Sequence, residues 1–537
     1  MRLTSDSMLR RCVTGVYSQF MKWSFLRRHA SVLSATATCR SIEDVSASLT
    51  DLTTPASWYP LARLLRRRIV AHLGPTNSGK THAALTALSS ASSGIYCGPL
   101  RLLAWEVAQK LNVAGVACSL VTGQEIRQVQ GANHTACTVE MASTTRNIGV
   151  AVIDEVQLMG DGSRGWAFTR ALLGVPAKEV HVCGDPAVLP LLQRLCVETN
   201  ERLEVCHYER LSPLRVLNKA VESLESVRHG DCIVAFSRRA VHAIRHQIES
   251  QRGLRCALVY GALPPEARSQ QTALFNAPRS GIKVLAASDA VGMGLNLTIK
   301  RIVFSSMSKY DGKKERNLHP AEVKQIAGRA GRYGTKYATG HVTTLHAEDL
   351  DTLHHAMACE PVHVPSAAVF PRFAQLSAFA GTLPEEPSLV DVLDEFASRA
   401  HVDKKTFFLA QFEEMRANAM MLRHLPLTLH ETYVFSISPC DPTDPDVSAA
   451  LLLFATVFAN RRPVSAHCIR HPPLQMALSS EELARLEAIH RVYDLYIWLS
   501  FRFETEFFDR PVAIEMRSRI SSLIDASLRQ LGALSSA

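Results

Sequence analysis

Gly74-Pro75-Thr76-Asn77-Ser78-Gly79-Lys80-Thr81 satisfies G-x-x-x-x-G-K-[ST] at every fixed position. A loop that wraps phosphates needs glycine where the backbone turns with positive φ and approaches oxygen atoms, so that successive amides point at the anion. Lys80 adds a point charge near the β- and γ-phosphates. Thr81 offers its hydroxyl to magnesium at the start of a helix, whose dipole favours anions. The flanks agree with this reading. Residues 68–73, RIVAHL, have strand character, and residues 81–88, THAALTAL, are helix formers. The eight loop residues are therefore expected to bind a nucleoside triphosphate.

Outward from the loop, short apolar strands at 94–97, 149–153, 179–183 and 203–206 alternate with helical stretches, which implies a parallel sheet covered on both faces. The strand at 150–153 runs straight into Asp154-Glu155-Val156-Gln157, placing two acids at the carboxyl end of the sheet, where α/β ligands sit. Paired with the phosphate loop, Asp154 is expected to hold magnesium with Thr81, and Glu155 to orient or deprotonate the attacking water. Gly184-Asp185-Pro186 closes the next strand in a similar place, where a tight turn and a coupling role explain it equally well. Trp58-Tyr59, ahead of the loop, reads as packing under the sheet rather than against a nucleotide base.

Near residue 212 the pattern restarts, with strands at 232–236, 256–260, 283–287, 301–304 and 340–344 and a basic amphipathic helix at 238–251, but no second phosphate loop. This unit carries 288–296, SDAVGMGLN, and 325–332, QIAGRAGR. Pro320 suits an early helical position, so residues 321–330 are expected to be helical, with Gln325, Arg329 and Arg332 on one face. Two arginines beside Gly328 and Gly331 suggest guanidinium fingers that reach a γ-phosphate held by the first lobe. The charged stretch 309–316 reads as a solvated loop.

In this order, residues 74–81, 154–157, 233–238, 289–296 and 325–332 resemble motifs I, II, IV, V and VI of superfamily 2 helicases. With residues 98–104, 121–125, 138–141 and 183–186 added, the chain from about residue 55 is similar to the mitochondrial degradosome RNA helicases. That resemblance implies two tandem RecA-like α/β lobes followed by an all-helical C-terminal domain. It implies ATP with Mg²⁺ between the lobes and travel along RNA from 3′ to 5′. Gln325, Arg329 and Arg332 would serve the γ-phosphate, and Asp289 and Gly292 would lie at the nucleotide. Arg101, Thr122, Thr138, Gly294 and Asn296 would touch the strand. The implied partner is a mitochondrial exoribonuclease, RNase II-like or polynucleotide phosphorylase. The segment before Trp58 is shorter than the N-terminal domain of the larger relatives, and the chain stops soon after the helical region.

The net charge of +9 sits mostly in the first 42 residues, which carry about +6 and an apolar stripe at helical spacing. They are expected to be a matrix-targeting peptide. Expected units follow at 43–65 (lead-in), 66–211 and 212–360 (the two lobes) and 361–537 (helical, with long helices at 388–399, 447–459 and 479–501). The longest later apolar run, 449–459, is too short to cross a bilayer, so no membrane insertion is expected. The 13 cysteines contain no C-x-x-C pair and read as buried thiols in a reducing compartment. His430-Glu431 has no second histidine at zincin spacing and reads as an exposed pair. Two other functions share the motor lobes: a duplex DNA translocase that does not unwind, and an RNA-binding scaffold that has lost turnover. The intact Lys80, Glu155 and Arg332 argue against the second.

Overall fold

A computed structural model describes residues 41–311, 314–384 and 386–534. The targeting-peptide reading falls almost entirely outside the described residues.

The first lobe contains β1 (Arg68–Leu73), β2 (Gly94–Gly98), β3 (Cys118–Val121), β4 (Ile126–Arg127), β5 (His134–Thr138), β6 (Ile148–Asp154), β7 (Ala177–Gly184) and β8 (Arg202–His207). They form one sheet in the order β4-β3-β5-β2-β6-β7-β1-β8, in which only the β3–β4 pair is antiparallel. Because β1, β6 and β7 lie side by side and parallel, the phosphate loop, Asp154 and Gly184 all emerge at the same sheet edge. The interior strands are apolar nearly throughout, as burial on both faces requires.

The second lobe contains β9 (Leu214–Val216), β10 (Asp231–Val234), β11 (Arg255–Val259), β12 (Ile282–Ala287), β13 (Arg301–Phe304), β14 (Ser308–Tyr310), β15 (Glu315–Asn317) and β16 (Gly340–Thr344). Its parallel sheet has the order β11-β12-β10-β13-β16-β9. The remaining two strands correct the reading of 309–316 as a loop. They form an antiparallel hairpin in which Lys309 meets Asp289 (3.1 Å) and Glu322 (2.7 Å), and Arg316 meets Glu322 (2.8 Å). Glu322 thus offers the hairpin cations an anchor on a neighbouring helix.

The last third is helical, with one pair of short parallel strands, β17 (Ala367–Val369) and β18 (Phe407–Leu409), set against the first lobe. Its packing is divided. Phe379, Phe396 and Phe407 share the core of the first lobe, whereas Phe435, Phe454, Tyr496 and Phe507 share that of the second. The helix Glu413–Leu422 spans the two, with Met415 and Ala419 in the first core and Leu422 in the second. The helix Ile42–Thr50 precedes the first lobe in sequence but packs on Phe373–Ala380 and Leu389–Arg399, and Leu52 donates to the His401 carbonyl at 2.7 Å. Trp58 and Tyr59 pack in the first core, with the Arg372 guanidinium 4.4 Å from the Tyr59 ring centroid.

His430 is half-buried against Phe373, not exposed, because its helix Leu429–Ser436 docks on Phe373–Ala380. All described cysteines are free thiols and most are buried. Among the described residues no helix is long and apolar enough to cross a membrane.

Candidate active site

The loop leaves β1 at Gly74, whose amide donates to the Gly184 carbonyl at the end of β7 (3.1 Å). Asn77 (φ 63°) and Gly79 (φ 86°) take left-handed conformations, and Gly79 caps the helix Lys80–Ser90. Glycine at 79 makes this turn without the penalty a Cβ would bring. The Lys80 ammonium folds back on the Pro75 carbonyl (3.0 Å), which holds the charge inside the loop.

Opposite the loop, Asp154 is 4% exposed and fully engaged. One carboxylate oxygen accepts from Thr81 Oγ1 (3.2 Å) and from the Glu155 amide (3.1 Å); the other accepts from the Tyr96 hydroxyl (3.0 Å). Burial and the adjacent Glu155 raise its carboxyl to about 6, against the opposing pull of Lys80, Tyr96 and Thr81. A buried acid pressed against a second acid and a hydroxyl is a set of hard oxygen donors suited to a small divalent cation. Ser78 Oγ, in the same loop, is buried without a protein partner. The residues present therefore fit a phosphate chain with magnesium.

Glu155 sits in the left-handed region (φ 57°), a conformation costly for a residue with a Cβ. Gln157 steadies it. The Gln157 amide donates to Glu155 Oε2 (2.6 Å), while its carbonyl oxygen accepts from the Asp185 backbone N–H (3.1 Å). Asp185 in turn caps Ala187 with its carboxylate (2.9 Å). The turn after β7 is thereby tied to Glu155 through one amide side chain. In the sequence Gln157 is legible only as the last residue of the 154–157 box, and its brace on Glu155 is not, since spacing does not show which acid an amide bonds.

The second lobe meets this site through the segment after Gln325. The expected helix ends early: it spans Pro320–Ala327, and Gln325, Arg329 and Arg332 do not share a helical face. Gly331 (φ 68°) turns the chain beside Gly340, where a Cβ would lie 2.2 Å from the Gly340 nitrogen. Arg329 instead points back, donating to the Gly292 carbonyl (3.1 Å) and facing Glu155 and Asp154. Arg332 is half-buried and faces Glu106 of the helix Arg101–Val113 in the first lobe. Gln325 lines a cavity of about 240 Å³ with Phe236, Asp289 and Lys309. Across the cleft, the Asn77 amide donates to the Gly331 carbonyl (2.9 Å), and Thr76 lies against Gly328.

The five residues expected to touch a strand are not equally placed. Asn296 is exposed. Gly294 (φ 72°) packs against Leu100 of the first lobe, while Thr122 and Thr138 are buried at the ends of β3 and β5. Arg101 is paired with Asp494 of the helix Ser480–Ser500 (3.1 Å), and Arg517 holds the same carboxylate (3.0 Å).

A phosphate loop, a buried acid bonded to it, a second acid and an arginine segment from a tandem lobe are the parts of a superfamily 2 helicase motor. Family models agree over most of the chain: "DEXQ-box helicase domain of Suv3" matches residues 55–208 and "Helicase conserved C-terminal domain" residues 214–334. "Suv3 C-terminal domain 1" matches 417–459, and "ATP-dependent RNA helicase SUV3 C-terminal domain" 483–530. The chain is 47% identical to the mitochondrial ATP-dependent RNA helicase SUV3 of Oryza sativa subsp. japonica over 90% of its own length and 83% of that protein. It is 47% identical to the mitochondrial DExH-box ATP-dependent RNA helicase DExH16 of Arabidopsis thaliana over 89% and 84%. With the mitochondrial SUPV3L1 helicase of Homo sapiens it shares 41% over 94% and 65%. The chain belongs to the SUV3 family of ATP-dependent RNA helicases.

Proposed function

We propose that this chain hydrolyses ATP with Mg²⁺ to move along single-stranded RNA and open duplexes in the mitochondrial matrix, feeding an exoribonuclease. The observation that carries this reading is the convergence of Lys80, Thr81, Asp154 and Glu155 from one lobe with Arg329 from the other. The loop amides and Lys80 bind the triphosphate, and Thr81 and Asp154 hold the metal. Magnesium, when bound, neutralises charge on the phosphate oxygens. Glu155, kept in place by Gln157, orients the attacking water and accepts its proton. Arg329 stabilises charge on the transferred phosphoryl group, and Arg332 joins it on leaving Glu106. The strand is gripped through its phosphates, so binding is sequence-tolerant and weakens with salt.

ATP hydrolysis with and without single-stranded RNA, beside Lys80→Ala, tests the reading. It is followed by displacement of a duplex carrying a 3′ tail. RNA should stimulate hydrolysis, Lys80→Ala should lower it by about 100-fold or more, and the duplex should open only with ATP. Turnover without strand separation would leave a translocase; no turnover at all would leave a scaffold.

A further inference from the structure

The chain passes from the first lobe to the second between β8 and β9, and Arg210 lies in that passage. A guanidinium carries five N–H donors in a rigid planar fork. Arg210 directs them at five backbone carbonyls: Ser212 (2.7 Å) through Nε, Thr76 (2.9 Å) and Gly328 (2.8 Å) through Nη1, and Ala330 and Gly331 (3.2 Å) through Nη2. Thr76 belongs to the phosphate loop. Gly328 and Ala330 flank Arg329, and Gly331 precedes Arg332. We propose that Arg210 is a positioning residue for hydrolysis, which sets the arginine segment in register with the phosphate loop when the lobes close.

Three observations support a positioning role over a simple staple. The carbonyls on both sides of Arg329 are pinned, which fixes the backbone its side chain departs from, while the Gly292 carbonyl holds its guanidinium. Arg210 is held beside another cation: burial and the nearby Arg329 bring its guanidinium down to about 10. Two guanidinium groups held close repel one another, so the carbonyl bonds hold Arg210 in place against that repulsion. Finally, the same guanidinium bonds to its own lobe connection at Ser212, so a change in lobe angle must break bonds to Thr76 or to the Gly328–Gly331 carbonyls.

This inference rests on Arg329 acting at the transferred phosphate, and the test separates the two claims. Arg210→Lys keeps the charge but offers donors from a single point, which cannot span the five carbonyls. RNA-stimulated kcat should fall on the order of 100-fold, the scale on which a misplaced catalytic group costs rate. Affinity for a fluorescent ATP analogue should stay within about threefold, because Lys80 and the loop amides are untouched. In an Arg329→Ala background the same substitution should cost less than about tenfold, since the arginine flanked by the pinned carbonyls is gone and only Arg332 remains to be misplaced. An unchanged kcat in Arg210→Lys, an equal loss of affinity and rate, or an undiminished loss in the Arg329→Ala background would overturn the proposal. So would failure of Arg210→Lys to fold, which would make the residue a structural staple. If Arg329→Ala alone keeps full turnover, the arginine-finger reading is what has failed.

Discussion

At the scale of single residues, the most consequential side chain after the phosphate loop is Glu155, because its strained backbone and its bond from Gln157 together fix where the carboxylate lies. Glu155→Gln should keep ATP binding and lower turnover at least 100-fold; appreciable hydrolysis by that variant removes Glu155 as the proton acceptor. Gln157→Ala keeps the carboxylate but frees it, so kcat should fall about tenfold with KM for ATP nearly constant, measured under saturating RNA. The two arginines should differ as well. Arg329→Ala removes both a charge facing the acids and the brace on the Gly292 carbonyl, whereas Arg332→Ala removes a second cation that lies by Glu106 in this structure, away from the acids. Both should spare nucleotide affinity more than rate, with the larger loss at Arg329. The loop, the acids and the arginines were legible because each motif puts fixed residue types at fixed spacing. The geometry after Gln325 was not, since Gly331 turns the chain in a left-handed conformation while the spacing still suits a helical face.

At the scale of elements, the strands ending in functional residues were legible as apolar runs, and β3, β4 and β5 were not. Residues 118–138 mix polar with apolar positions, and only pairing in turn makes them strands, β5 on β2, β3 on β5 and β4 on β3. The ion cluster on the helix Ser480–Ser500 was equally hidden, for Arg101 and Asp494 are joined only by the fold. The burial of Asp494 is offset by Arg101, His490 and Arg517, which draw its carboxyl down to about 2. A carboxyl with a depressed folded pKa adds stability above its ordinary value near 4, and that contribution is lost as pH falls toward 2. Asp494→Asn should therefore cost about 3 kcal/mol at neutral pH by leaving Arg101 and Arg517 without their shared anion. The difference from the parent should shrink between pH 4 and pH 2, as denaturant titrations at several pH values would show. A difference independent of pH would mean that packing, not charge, carries the effect. Two turns earlier on the same helix, Glu487 is a second cross-link, bonded to Arg238 (3.1 Å) and Tyr260 (2.5 Å) of the second lobe.

At the scale of the whole molecule, the last third completes both cores. A chain ending at residue 360 would bare the faces that meet Phe379 and Phe396 in one lobe and Phe454 and Tyr496 in the other. Such a fragment should aggregate, since exposed apolar surface of that extent is an association hazard. A soluble monomeric fragment with undiminished ATP affinity, seen by gel filtration and nucleotide titration, would contradict this. The sequence carried the presence of a helical region, but not its division, because amphipathic stripes show that a face is covered without showing by what. The division also means that the polypeptide passes between the halves before β9, between the helix Leu350–Ala358 and β17, and along the two helices Glu413–Leu422 and Leu429–Ser436, each of which packs on both cores. A motor with a single tether comes apart at one nick. Here a protease cut within the second passage leaves the halves joined by the other two, and the third is a helix pair seated in both cores, so any opening of the cleft has to shift that pair as well as the hinge before β9.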